Sequence, residues 1–179
     1  MVERATAALT PHCREVVALA PEPGLSGIGL PLVHDVEGSG GPLAAIVSVL
    51  RYARDHGDAG ALVLACDLPL VDGAFVGALV AAWHGEDLVV PEQAGWIQPF
   101  CAVWSTSALE PALDALGSSD RSPLSLAKRL RTRVIAESEW RGHARVAEPL
   151  LNVNTPEELE RAESLLAAVS GRSVPGGTG

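Results

Sequence analysis

Apolar residues recur along this chain at two periods. From residue 2 to residue 9 small and apolar side chains follow helical spacing until Pro11, so the chain opens in a helix. Short apolar runs at 14–20, 30–33, 61–66 and 87–91 have the length of strands and little polar alternation. The run 61–66, Ala-Leu-Val-Leu-Ala-Cys, is uncharged throughout, which predicts a strand buried on both faces of a parallel sheet. Between these runs the helical period returns. Leu43, Ile46, Val47 and Leu50 lie on one face behind Pro42, and Asp72 is placed to cap a second helix carrying Phe75, Val76, Leu79, Val80 and Trp83. Further on, the pattern predicts a turn at 93–95, a strand-like stretch at 96–104 broken at Pro99, helices at 107–116 and 123–130, and strands at 132–136 and 150–153. Thr155, Pro156 and Glu158 form a capping box before a last helix with Leu159, Ala162, Leu166 and Val169. Residues 21–29 read as a loop and residues 170–179 as a disordered tail, both rich in Gly and Pro.

Strands alternating with helices at short intervals imply an α/β protein, a three-layer α/β/α sandwich around a mostly parallel, doubly wound sheet. With 179 residues, one domain over 1–169 accounts for the pattern. The net charge of −9 excludes a general nucleic-acid surface, so any phosphate bound here needs a local device: a helix N-terminus, a metal ion or a few selected cations. Cys13, Cys66 and Cys101 are widely spaced and odd in number, which reads as reduced core thiols rather than a disulfide framework or a zinc site. No leader pattern and no apolar run of membrane-spanning length occur, so a cytoplasmic protein with no membrane partner is expected.

Asp67 ends the apolar run 61–66 and precedes a Leu-Pro pair. An acidic residue at the carboxyl end of a central strand lies where open α/β sheets bind ligands, although capping a turn explains it equally well. Asp35 follows another predicted strand, and Gly38-Ser-Gly-Gly-Pro opens into the helix at Pro42, with Gly41 and Pro42 at its start. Two carboxylates and a helix N-terminus on one rim can hold a divalent metal and a polyphosphate. The loop matches neither Gly-x-x-x-x-Gly-Lys-[Ser/Thr] nor Gly-x-Gly-x-x-Gly, which removes support for a P-loop NTPase or a Rossmann dehydrogenase. Asn152 and Asn154 alternate on an extended segment and therefore point to one side, as ligands from a strand end or simply as the approach to the helix. Gln98, before Pro99, offers a further amide at a strand break.

Gly-Pro-Leu-Ala-Ala at 41–45, Ala-Cys-Asp-Leu-Pro at 65–69, Gln98-Pro99 and Asn-Val-Asn-Thr-Pro-Glu-Glu-Leu at 152–159 occur in this order. In these motifs the chain resembles the molybdenum cofactor guanylyltransferases. The resemblance implies a nucleotidyltransferase fold and transfer of GMP from MgGTP to molybdopterin, with pyrophosphate released. It implies Mg2+ as cofactor, with Asp67 as its ligand, and Asp35, Gly41, Pro42 and Asp67 as nucleotide-binding residues. It also makes Gln98 and Pro99 substrate-binding residues, and Asn152 and Asn154 the paired asparagines at the reacting phosphates. Attack of a phosphate oxygen on the α-phosphorus needs positioning and charge neutralisation and no covalent nucleophile, which suits these residue types.

The family pattern also includes a first strand and a loop of the form Leu-Ala-Gly-Gly-x-Ser-x-Arg-Met-Gly-x-Asp-Lys, which this chain lacks; its sole lysine is Lys128. Either the chain starts downstream of that loop or it is a shortened relative. In both cases it is expected to fold, to transfer nucleotide poorly, and to expose a strand edge through which it can self-associate as a homo-oligomer. A cytidylyl or other nucleotidyltransferase on a related acceptor is one alternative. A non-catalytic descendant that binds the cofactor or a partner is the other.

Overall fold

The computed structural model describes residues 1–19, 27–34 and 40–170. Helix α1 (Val2–Leu9) leads to the short parallel strands β1 (Ala18–Leu19) and β2 (Leu32–Val33), then α2 (Pro42–Asp55), β3 (Gly60–Leu64) and α3 (Gly73–Ala81). There follow β4 (Leu88–Gln93), β5 (Trp96–Ile97) and β6 (Cys101–Ser105), a single 3-10 turn, α4 (Leu109–Leu116), α5 (Pro123–Ala127), β7 (Thr132–Ile135), α6 (Glu137–Trp140) and α7 (Pro156–Ser170).

The main sheet has β6 between β3 and β4, antiparallel to both, while β7 pairs with β4 in parallel. The sheet is therefore mixed within the expected α/β class. The reversal follows from chain length: residues 94–100 are too few for the crossover that a parallel neighbour of β4 requires. Ala94 (φ 52°) and Gly95 (φ 84°) instead turn the chain through two consecutive left-handed positions, and β5 pairs back onto the end of β4.

The pleat sorts side chains to two faces. Leu88, Val90, Ala102 and Trp104 pack with Leu43, Ile46, Val47 and Leu50 of α2 and with α4 and α5. Val89, Cys101 and Val103 point the other way, onto α1, α3 and α6. This is the three-layer sandwich expected from the alternation, and the apolar positions assigned to α2 are all fully buried. Asp72 caps α3 as expected, its Oδ1 accepting from Ala74 N (3.0 Å) and Phe75 N (3.0 Å). Helix α6 has too few residues for its period to show in the sequence. It carries Trp140, which meets Phe75 edge-on at 5.3 Å and donates from Nε1 to the Glu92 carbonyl at 2.9 Å.

Several expectations need correction. The segment 150–153 is not a strand: its one printed contact of this kind is a hydrogen bond from Val153 N, described below. The last helix continues to Ser170, while residues 171–179 of the expected tail lie outside the described residues. Strand β3 is only half-buried along its whole length, whereas β6 is buried throughout, because β3 pairs on one edge alone. Cys66 is exposed rather than a core thiol, Cys13 is half-buried, and burial pushes the Cys101 thiol up to about 12. No helix among the described residues is long and apolar enough to cross a membrane.

The junction of β3 and β6 tolerates no side chain at Gly60, where a Cβ would lie 2.6 Å from the Trp104 carbonyl and 3.1 Å from Trp83 Cη2. Gly60→Ala is therefore expected to cost roughly 1–3 kcal/mol, read as a lower denaturation midpoint at unchanged m-value. At the opposite side of the sheet, Arg131 bonds both oxygens of Asp87 (2.8 and 3.2 Å) and Ser107 Oγ donates to it at 2.6 Å. The Arg131 guanidinium is the main reason the Asp87 carboxyl is lowered to about 2. Because the folded value lies below an unfolded value near 3.9, the stabilisation is complete above about pH 4 and disappears as pH falls toward about 2. Asp87→Asn is expected to flatten the acid limb of thermal stability across that window.

Candidate nucleotide site

Strands β3, β4 and β7 run in one direction, and the ends at which they finish form a rim. Asp67 stands there, past the end of β3, because Pro69 and the turn that follows take the chain out of the sheet. Its backbone oxygen accepts a hydrogen bond of 2.8 Å from Val153 N. That bond joins two segments remote in sequence, and it puts the Asn-Val-Asn segment beside Asp67. Val153 is buried against Leu70, Val146 and Ala162, while its neighbours Asn152 and Asn154 are exposed, so the alternation expected of the pair is present without a strand. The start of α7 is locked by a reciprocal cap: Thr155 Oγ1 accepts from Glu158 N (3.2 Å), and Glu158 Oε2 accepts from Thr155 N (3.0 Å) and Asn154 N (2.7 Å). The carboxylate thus occupies the Asn154 N–H and leaves its side-chain amide exposed to the rim.

The side chain of Asp67 has no such partner. Its Oδ1 is enclosed and accepts no hydrogen bond. An enclosed carboxylate oxygen without a donor is costly, and a cation relieves that cost. Among the described residues no three His, Cys, Asp or Glu side chains converge to hold a metal unaided. That agrees with the way Mg2+ is held, by one or two carboxylates completed by substrate phosphates and water.

Gln98 and Pro99 reach the same rim. Ala65 N donates to Phe100 O at 2.8 Å, so the turn preceding β6 lies against the residues that lead to Asp67. The backbone of Gln98 is engaged on both sides, with Pro91 O (3.0 Å) and Cys101 N (2.9 Å), and Pro99 is buried with its carbonyl accepting from Trp104 Nε1 at 3.0 Å. Pro99 therefore shapes the turn, and Gln98 carries the available amide. Gly41 is the N-cap of α2, at φ 106°, followed by Pro42 at the first helical position. Helix α2 finishes beside the beginning of β1, where Tyr52 donates to Glu15 at 2.8 Å, so its amino end lies toward the rim. Asp35 and residues 36–39 of the glycine loop lie outside the described residues.

Two cations at this rim were not singled out from the sequence. Arg4 Nε donates to Pro69 O at 2.8 Å, and Arg145 Nε lies 3.5 Å from Asp72 Oδ2, an ion pair longer than a hydrogen bond. An isolated Arg in a helix or a loop has no motif around it, so only the fold could place either one here.

Residues 1–135 match the model of the MobA-like NTP transferase domain. The chain belongs to that family. Molybdenum cofactor guanylyltransferase of Cereibacter sphaeroides is 35% identical over 146 residues, which is 79% of this chain and 68% of the relative. The probable molybdenum cofactor guanylyltransferase of Chloroflexus aggregans is 29% identical over 181 residues, 95% of this chain and 82% of the relative. Among solved structures, molybdopterin-guanine dinucleotide biosynthesis protein A from Archaeoglobus fulgidus superposes with a TM-score of 0.67 at 23% identity, over 78% of this chain and 69% of that one, and shares the fold. The matched family region ends before Asn152, so the asparagine pair is joined to it through the Val153–Asp67 bond.

Because Thr155 and Glu158 serve the helix cap, Thr155→Ala is expected to lower stability by about 1 kcal/mol. Glu158→Ala should lose more, since it leaves two backbone N–H groups without an acceptor. Equilibrium unfolding of both variants checks this order.

Proposed function

We propose that this chain is a molybdenum cofactor guanylyltransferase, transferring GMP from MgGTP to the phosphate of molybdopterin. The observation that carries the reading is the hydrogen bond from Val153 N to Asp67 O, which gathers a metal-seeking carboxylate and two exposed amides at one point of the rim. Membership of the family and the names of the relatives support the same reaction.

In this reading Asp67 holds Mg2+ through the carboxylate oxygen that no protein donor satisfies. When bound, the ion bridges and neutralises the triphosphate oxygens. Asn152 and Asn154 offer side-chain N–H donors to the oxygens of the acceptor phosphate and the α-phosphate, holding the two in line. The acceptor oxygen forms the new bond to the α-phosphorus as the bond to the β-phosphate oxygen breaks, and pyrophosphate carries away that electron pair. The N-terminus of α2, opened by Gly41 and Pro42, presents backbone N–H groups toward the same rim, while Gln98 lines it from the turn before β6. Arg4 and Arg145 add positive charge to a chain whose net charge is −9.

Calorimetric titration of the 179-residue chain with GTP is expected to show binding that requires Mg2+, and Asp67→Ala is expected to abolish it with no loss of melting temperature. Metal dependence unchanged in that variant removes Asp67 from the site, and tighter binding of CTP than of GTP moves the assignment to a cytidylyltransferase. Asn154→Ala is expected to lower pyrophosphate release from GTP and molybdopterin by ~10-fold or more with its fold intact. An effect on melting temperature alone would make the asparagines structural.

A further inference from the structure

The largest internal space of this protein is a cleft of about 630 Å3 that lies between two strand edges. Val16–Leu19 form one wall and Ala59–Ala65 the other; α1 closes one face through Val2, Ala5 and Leu9, and α2 closes the opposite face through Ala45 and Val49. Every one of these walls is apolar apart from backbone.

The backbone groups that look into the cleft can be identified. Thr106 N donates to Ala59 O and Ala65 N donates to Phe100 O, so the odd-numbered residues of β3 bond to β6. In an antiparallel pair the alternate residues then turn their N–H and C=O away, which leaves those of Gly60, Leu62 and Leu64 directed at the cleft. On the other side, Ala18 N donates to Pro31 O, so Ala18 serves β2 and Leu19 presents its N–H and C=O to the cleft. Two rows of backbone donors and acceptors thus face one another across an apolar channel, and neither row is paired among the described residues.

The direction of the channel is also settled. Arg14, at the start of β1, bonds Asp58, at the start of β3, with contacts of 2.7 and 3.2 Å. Both strands therefore set out from the same end and run in parallel toward the rim. Helix α1 begins at the rim, where Arg4 holds Pro69 O, and finishes near the start of β1. A strand lying in the channel, parallel to β3, would end at the rim beside the beginning of α1. Together with α1 and β1 it would make the right-handed β-α-β unit that parallel strands adopt.

We propose that the cleft is the seat of one further β-strand, an aliphatic segment of about six residues that pairs with β3 on one side and β1 on the other and continues into α1. Its side chains are apolar on both faces because helices cover both. The strand unites the β1–β2 pair with the main sheet, and its connection to α1 crosses the rim beside Asp67. The inference rests on backbone geometry and is independent of the reaction proposed above.

The test compares the 179-residue chain with the same chain carrying, ahead of Met1, six alternating Val and Leu residues and a short Gly-Ser turn. Amide hydrogen exchange at Leu62, Leu64 and Leu19 is expected to be fast in the first and slower by about tenfold or more in the second, with both monomeric by light scattering. Ala45→Trp, which fills the channel from α2, should cancel the gain. Leu62→Pro, which removes a cleft-facing N–H without touching the β6 ladder, is the second check if the Trp variant does not fold. Equal exchange in the two chains overturns the proposal. Slow exchange already present in the shorter chain also overturns it: independent of concentration, it means that the edges have closed on each other, and accompanied by a dimer, it means that a second copy fills the cleft.

Discussion

The register between β3 and β6, from Gly60 opposite Ser105 to Leu64 opposite Cys101, governs most of what this protein presents. It commits one edge of β3 to the sheet and leaves the other free. It also carries Ala65 against Phe100, so that Asp67 and the turn at Gln98 emerge together at the rim. Gly60 is the point at which that register is least forgiving, since the Trp104 carbonyl occupies the space a side chain would need.

Around this ladder the protein divides into a well-packed part and an open one. From β6 outward to β7 the sheet is covered on both faces by fully buried side chains, and polar groups there find partners, as Asp87 does with Arg131 and Ser107. From β3 toward β1 the apolar side chains are only half-buried, and strand edges face a cleft. The site straddles the boundary. Asp67 belongs to the open side and keeps an enclosed oxygen without a donor, while the asparagine segment is held from the packed side by Val153 and the capped start of α7. A rigid carboxylate with an unmet charge next to exposed amides on an anchored segment is a suitable arrangement for binding phosphate through a metal.

The acidic balance of the chain sharpens this. With a net charge of −9, an incoming triphosphate meets repulsion from the molecule as a whole, and its binding depends on what is concentrated at the rim: the ion at Asp67, the amino end of α2, and the guanidinium groups of Arg4 and Arg145.

Local periodicity was enough to read α1, α2, α3 and the capping box of α7, because helix faces and caps are decided within one or two turns of chain. The same holds for the turn at Ala94 and Gly95. The motif residues at the rim, Asp67, Gln98, Asn152 and Asn154, could be named from their order in the sequence, whereas Asp35 falls outside the described residues. The direction of β6, the half-buried state of β3 and the exposure of Cys66 could not be read, because an apolar run looks the same whether one or both of its edges are paired. Nor could the sequence show that residues 150–153 reach Asp67 by a single backbone hydrogen bond, or that Arg4 and Arg145 share the rim. Those contacts join segments far apart along the chain, and only the packing of α1, α3 and α7 against the sheet brings them together.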